Sequence, residues 1–454
     1  MAAVRSMQWF AFAASFLTFG TVHAADNGAW ISLFDGKTLN GWHQLNGTAK
    51  FEVQDGCIVG TSKIDEWNSF LATDRTFKDF VLEFDIKQDV GPTNSGVQFR
   101  SLSDPKDRNG RVHGYQADVD PSDKEWSGGI YDEAGRGWLY PGTLNPIGDL
   151  YKYGEWNHYR IEAIGHSMRV WINGYPVSYI IDDMWPQGFI ALQVHMIEKN
   201  KPEEQGRRTM WRNLRVQEQN LKPAPADPIF VRNAIANNLD PAEAAQGWKL
   251  LWDGKTTHGW RSVNGGGFPK SGWKIENGEL VVTGGGGDII TDDTFASFEM
   301  QLEFKLTKGA NSGIMYFVTD ASDPHHSAPL WLEYQLLDDE NHPDAKQGVN
   351  GNRTLASLYD MIPRMQMRTN VGIAPKVGEW QHARIVAHSD NRVEHWLNGV
   401  KVLEYTRGSR EYRKLVANSK FKGYPLFGEA IRGHLLLQDH GDEVHFRSVK
   451  VRGF

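Results

Sequence analysis

One cysteine stands among the 454 residues, Cys57. A lone thiol excludes an intrachain disulfide and any cysteine-rich zinc or iron–sulfur centre, so polar chemistry must come from His, Asp, Glu, Gln and Asn. Charge of one sign is also lacking: 49 Lys and Arg against 56 Asp and Glu leave a formal net charge of -7. That modest acidic excess gives no general attraction to nucleic acid or to anionic lipid. A phosphate loop is missing too, because the run Gly284 to Gly287 has no Lys-Ser/Thr ending and no helix pattern behind it. Beyond the N-terminus no apolar run is long enough for a bilayer, and no membrane insertion is expected.

The N-terminus itself reads as a secretory signal. A cationic start at Arg5 is followed by the apolar stretch from Trp9 to Gly20 and by small residues up to Ala24, where cleavage is expected. Residues 1–24 are therefore expected to leave a periplasmic or secreted protein, in which a single Cys fits a fold stable without disulfides.

What the sequence does have is repetition. The stretch LFDGKTLNGW at 33–42 returns as LWDGKTTHGW at 251–260. Behind it KFEVQDGCIVG, LEFDIKQDVGPTNSGVQFR, GYQADVD, GEWNHYRIEA and VWINGYPV are answered in the same order by GWKIENGELVV, LEFKLTKGANSGIMYFV, EYQLLDD, GEWQHARIVA and HWLNGVKV. Matches in register over such a length indicate duplicated domains. The repeated pieces alternate apolar and polar residues, and four carry hairpin turns at Asp55-Gly56, Asn173-Gly174, Asn277-Gly278 and Asn398-Gly399. With 17 Trp and 47 Gly, the composition suits packed strands joined by tight turns. Two antiparallel β-sandwiches are expected, at 28–219 and 246–454.

Residues 220–245, with LKPAPADP at their start, read as an extended linker with a short helix near Asp240 to Gln246. The second half carries an insertion near 406–433, where Ser409 to Phe421 predicts an amphipathic helix with Tyr412, Leu415 and Val416 on one side. It either covers the sheet of its own domain or docks the two domains. Trp42, Trp260, Trp156 and Trp380 are expected as core anchors, and the two Asn-Ser-Gly triplets at 94–96 and 311–313 as turns. His325-His326, flanked by Pro and Asp, reads as a loop and is a candidate surface metal site.

The candidate site comes from strand parity. Residues two apart on a strand share a face, so Gln193 and His195 are presented together, as are Gln438 and His440. The same rule pairs Gln116 with Asp118 and Glu333 with Gln335. Carboxamide, carboxylate and imidazole groups on one sheet face suit sugar hydroxyls or an oxygen-bound cation; a structural hydrogen-bond network is the alternative. Tyr131, Glu133, Arg136 and Trp138 in a Gly-rich segment, and Arg353, Tyr359 and His395 in the second half, are further candidates for contacting a ligand.

Taken together, LFDGKTLNGW, the Asn-Ser-Gly triplet, the Tyr-Gln strand, GEWNHYRI, WLNGV and LQDHG followed by VHFRSVKVR resemble the 3-keto-disaccharide hydrolase family. The second half is the nearer match; the first has Val194 in the place of Asp439 and Val170 in the place of His395. The resemblance implies two tandem concanavalin A-like jelly-roll sandwiches, an all-β fold. It also implies a carbohydrate substrate, a glycoside oxidised at C3, cleaved by loss of the C2 proton and elimination at C1 followed by hydration. On that basis His440 or Glu333 is the expected base in the second half, with Gln335 and Gln438 orienting the sugar. His195 is the expected base in the first half, with Asp118 as metal or proton-transfer carboxylate and Arg136 as oxyanion partner. A divalent metal cation of unspecified identity could act as electrophile. The rival readings are a noncatalytic carbohydrate-binding envelope protein, a conventional glycosidase with two facing carboxylates, and a purely structural tandem.

Overall fold

The computed structural model describes residues 29–122, 126–319, 331–367 and 373–454. The signal-like segment and the His325-His326 pair lie outside these residues. The chain folds as two tandem jelly-roll sandwiches, each with a back sheet and a cleft sheet. The back sheets follow the same order: Lys50–Gln54, Cys57–Thr61, Arg208–Gln217, Phe80–Val90, Asn157–Ile164, Ser167–Ile172 and Tyr175–Ile181 in the first domain. The second domain matches this with Trp273–Glu276, Glu279–Val282, Val444–Gly453, Phe298–Leu306, Gln381–Ala387, Arg392–Leu397 and Val400–Thr406.

All four Asn-Gly or Asp-Gly hairpins close as expected, with both central residues at positive φ, for example Asn398 at 49° and Gly399 at 80°. Those dihedrals match the twist of the flanking strands and suit Asn and Gly. The repeated opening sequence also has a local cause. Asp35 accepts hydrogen bonds from the Lys37 and Thr38 amides and the Thr38 hydroxyl, and Asp253 does the same with Lys255 and Thr256. Trp42 then donates its indole N–H to the Leu33 carbonyl at 2.8 Å, and Trp260 to Leu251 at 2.7 Å. Each ten-residue stretch is thus a turn that pins a buried indole, and both indoles join their domain's core.

Trp156 and Trp380 depart from expectation. They are only partly buried, and each lies under an arginine of its domain's last strand, with Arg212 at 3.9 Å and Arg447 at 4.0 Å from the ring centres. An indole at a sheet's outer face gains a cation–π partner there instead of core packing. The Asn-Ser-Gly triplets are not turns either. Ser95 and Ser312 lie in strands Ser95–Leu102 and Asn311–Val318, and their hydroxyls donate to the carbonyls of Gln193 and Gln438.

The linker is held along much of its length. Arg169 donates to the Ala224 and Pro225 carbonyls and pairs with Asp227, while the Ala224 amide donates to Glu162. Arg232–Asn233 then adds a parallel strand to the first domain's back sheet, pairing with Ile180 and Ile181. The short helix Pro241–Ala245 follows, with Asp240 and Glu243 forming a capping box. Glu243 meets Lys450 of the second domain at 2.8 Å with both side chains buried. The insertion forms the helix Arg410–Ala417, capped by Ser409, with Tyr412 buried and its ring stacked 5.9 Å from Tyr405. It packs on its own domain. No helix among the described residues is long and apolar enough to cross a membrane.

Replacing Lys450 with Met strands the Glu243 carboxylate and should cost about 3–5 kcal/mol, whereas the pair Glu243→Leu with Lys450→Met should recover most of that loss. Denaturant titration of the three proteins measures both effects.

Candidate functional site

In the first domain the cleft sheet runs Gly137–Tyr140, Ile130–Glu133, His113–Val119, Ser95–Leu102, Phe189–Val194, Ser69–Thr73 and Trp42–Asn46. Its register aligns Asp118 with Gly96 and Gly96 with Gln193, and places Tyr131 beside Gln116. The resulting cleft of about 670 Å³ is lined by Gln116, Asp118, Tyr131, Glu133, Trp138, Gln193 and His195, seven residues singled out from sequence. It adds Asn94, which the sequence marked only as part of a turn, and Arg111, Trp67 and Trp126, which carry no period or motif that would have identified them.

A chain of amides crosses this cleft. Ser101 donates to Gln98, Gln98 donates to Gln116 at 2.8 Å, and Gln116 donates to Asp118 at 2.9 Å. Asn94 adds a further amide donor to Asp118 at 3.3 Å. Gln193 is 1% exposed, yet its side-chain oxygen has no hydrogen-bond partner. Burial pushes the Glu133 carboxyl up, opposed by Arg111 at 3.0 Å. Arg136 is not part of the cleft wall. Its guanidinium is taken up by Asp132 at 2.7 Å and by both oxygens of Asp182, which also accepts from Tyr115, so it is committed to an ion-pair network and has no free edge for an oxyanion.

The second domain's cleft sheet is shorter: Trp260–Ser262, Ile289–Thr291, His434–Leu437, Asn311–Val318 and Leu332–Leu337. Gly313 pairs with Gln335, and the Gln438 amide donates to the Gly313 carbonyl, so the two glutamines flank a position without a side chain. In place of the first domain's hairpin, residues 356–359 pair irregularly with the sheet. The Tyr359 amide donates to the Glu333 carbonyl at 3.1 Å.

This register revises the sequence alignment. Gln116 and Gln335 both follow a Tyr, but relative to the central glycine Asp118 corresponds to Gln335 and Gln116 to Glu333. The glycines make the same point. A Cβ on Gly96 would meet the Gln116 carboxamide at 2.5 Å, and one on Gly313 would meet the Glu333 carboxylate at 2.7 Å. Carboxylate and carboxamide have therefore exchanged places between the halves, a two-residue shift that preserves parity and so escapes a periodicity argument.

Glu333 is the most perturbed acid of the second cleft. Burial pushes it up to about 8, with Lys420 opposing and the charges of Asp288 and Asp344 adding to the rise. Where the first domain offers the Gln98 amide, the second has Met315, packed with Ile290 and Leu436, and among the described residues no side chain donates a hydrogen bond to the Glu333 carboxylate. Lys420, from the insertion, lies 4.0 Å from the centre of the Tyr359 ring, whose hydroxyl donates to Asp344. The side-chain oxygens of Gln335, Gln438 and Asn311 are buried without partners. His440 is exposed, with Nε2 3.4 Å from the Asn311 amide nitrogen. Asp439 accepts from the Gly286 and Gly287 amides, so the glycine run anchors this loop. Lys420, Asp288 and Asp344 were not identified from sequence; Lys420 lies in an insertion with no counterpart in the first half.

Two expected contacts of the second half are placed otherwise. His395 is inside the sandwich, with no exposed surface, bonded to the Tyr316 hydroxyl at 2.7 Å and the Ala356 carbonyl at 3.0 Å. Burial pushes it down to about 4, and it is a neutral core residue rather than a ligand contact. Arg353 is engaged by Asp344 and Asp360, and so braces the segment that carries Tyr359.

The model of the 3-keto-alpha-glucoside-1,2-lyase-like domain family matches this chain twice, over residues 29–217 and 247–452. The chain belongs to this family. A 3-keto-disaccharide hydrolase from Bacteroides thetaiotaomicron is 37% identical over 249 residues, covering 49% of this chain and 83% of that protein. A crystal structure of a proposed glycosyl hydrolase from Parabacteroides distasonis is 32% identical, covering 48% of this chain and 99% of that one, at a TM-score of 0.43. A second from the same organism is 26% identical over 46% of this chain and 99% of its own, at a TM-score of 0.36. Each relative thus corresponds to about one half of the tandem.

The raised carboxyl has a consequence for stability. The unfolded chain releases the Glu333 proton near 4.5 and the folded chain near 8, so the stabilising contribution of the protonated form is complete below 4.5 and is lost as pH rises through 8. Glu333→Gln should therefore raise Tm over wild type by more at pH 8 than at pH 5, as read by calorimetric melts.

Proposed function

We propose that this protein cleaves glycosides whose sugar is oxidised at C3, and that the reaction takes place in the second domain's cleft. Family membership supports glycoside cleavage, and the observation that carries the site is Glu333, a buried carboxyl pushed up to about 8 beside unpartnered amide oxygens. A base with that proton affinity is matched to a weakly acidic C–H near neutral pH.

The C3 ketone acidifies the C2 proton. Glu333 takes that proton, the electron pair forms the C1–C2 double bond, and the glycosidic oxygen leaves C1 with a proton from His440. Water then adds across the double bond: His440 takes a proton from the water, whose hydroxide joins C1, and Glu333 returns its proton to C2. Gln335 and Gln438, on either side of Gly313, accept from sugar hydroxyls and set the ring's orientation. Lys420, whose ammonium lies over the Tyr359 ring, supplies positive charge near the developing enolate.

A cation at this site is part of the proposal. Among the described residues no three His, Cys, Asp or Glu side chains converge, so a zinc-type centre does not fit. The unpartnered oxygens of Gln335, Gln438 and Asn311 fit a hard cation that keeps several waters. When bound, it would draw electron density from the C3 oxygen. We also propose that the chain acts after export, on the strength of its N-terminal pattern.

Incubating the purified protein with a 3-keto-glucoside and with its unoxidised parent, before and after chelation, tests the reading. Only the keto substrate should yield product, and chelation should slow it if the cation contributes. Turnover of both substrates alike would indicate ordinary hydrolysis and overturn the elimination route. Glu333→Gln should lower kcat on the order of 10²–10⁴-fold, and the wild-type rate should climb with pH to a plateau above about 8. A flat pH profile through that range would remove Glu333 as the base.

A further inference from the structure

The two clefts share a plan, but the groups on it differ, and the difference falls on the residue that moves the proton. Where the second domain has the Glu333 carboxyl, the first has Gln116, an amide that neither takes nor gives a proton at any ordinary pH. Gln116 is fixed at both ends, receiving from Gln98 and donating to Asp118. Asp118 in turn stands where the second domain has Gln335 and receives two amide donors.

The first cleft is nonetheless built to receive something. It is open and about 670 Å³ in volume. Gln193, 1% exposed, presents a side-chain oxygen with no partner at its floor. Its walls are aromatic: Trp138 lies between Tyr131 at 5.1 Å and Trp126 at 4.6 Å, and Trp67 stands 48% exposed at the rim. Among the described lining residues Arg111 is the one Lys or Arg, and it is paired with Glu133, which disfavours an anionic ligand. Acceptors at the floor and indole faces at the sides fit the two surfaces of a pyranose, its hydroxyl edge and its C–H face.

We infer that the first cleft is a holding site that binds a neutral saccharide without cleaving it, so that the tandem pairs one binding cleft with one cleaving cleft. This rests on the reading of the second cleft as the place of cleavage. The holding site also has a mechanical link to that domain. Trp126 and Trp138 pack against Met367, Ile373 and Val400 of the second domain, so the aromatic wall is braced from across the domain boundary.

The test uses the full chain carrying Glu333→Gln. On a 3-keto-disaccharide it should form product at less than a hundredth of the wild-type rate, although the first cleft is intact. Calorimetric titration of this variant with maltose and with cellobiose should detect binding of at least one of them. Adding Trp67→Ala, at a half-exposed position outside the core clusters, or Asp118→Ala should weaken that binding at least tenfold. Residual cleavage that disappears on adding Asp118→Asn would make the first cleft catalytic and overturn the inference. Titrations that yield no binding, or that neither added substitution alters, would overturn it as well. If wild-type protein cleaves no keto glycoside while saccharide binding still depends on Trp67 and Asp118, the proposed cleavage fails and the holding role stands.

Discussion

A strand position with no side chain is the constraint on which both clefts depend. Gly96 sits on the middle strand of a seven-stranded sheet and Gly313 on the strand next to the edge of a five-stranded one, and the space above each is filled by the diagonal neighbour, Gln116 in one domain and the Glu333 carboxyl in the other. A methyl group there would stand within 2.7 Å of those polar atoms. Across a sheet, side chains on neighbouring strands stand about 5 Å apart, so the missing side chain gives Gln116 or Glu333 the room to lie between the flanking residues, Asp118 and Gln193 or Gln335 and Gln438. The serine before each glycine fixes the spacing by bonding to the next strand's carbonyl.

From this common frame the domains diverge through their surroundings. In the first, a relay of amides solvates the polar groups, so the cleft is a hydrogen-bonded floor. In the second, Met315 replaces one member of the relay and the carboxyl loses its donors, which is why burial dominates its proton affinity. One exchanged residue on a neighbouring strand thus separates a hydrogen-bonded carboxamide from a buried carboxyl of raised proton affinity.

Much of the fold could be read from the sequence because its signals are local. The Asp-Gly-Lys-Thr turn, the four positive-φ hairpins and the alternating strands each depend on residues within a few positions, and each formed as expected. The cleft was partly legible through strand parity, which brought Gln116, Asp118, Gln193 and His195 to one face. Parity says nothing about register, however, and a two-residue slip concealed the correspondence of Gln116 with Glu333. Nor does it say which face of a sheet looks inward: His395 sits on the back sheet's Arg392–Leu397 strand and points into the core. Arg136 and Trp156 were misplaced because their partners, Asp182 and Arg212, lie 46 and 56 positions away in sequence. Lys420 reaches the site from an insertion, and no repeat could have flagged it.

The pinned linker sets where this protein can be divided. A cut at the composition boundary near Gly247 would leave Lys450 inside the second domain with its counter-charge on the discarded piece, and would strip the Asn237 contacts from Gly278 and Ser448. A cut near Asn220 would instead take from the first domain the strap that covers Arg169 and Glu162. The segment between the sandwiches is shared structure, belonging to the first domain's sheet at one end and to the second domain's core at the other. Duplication repeated the sandwich, but the buried contacts at the join tie each copy to a segment that lies outside the repeat.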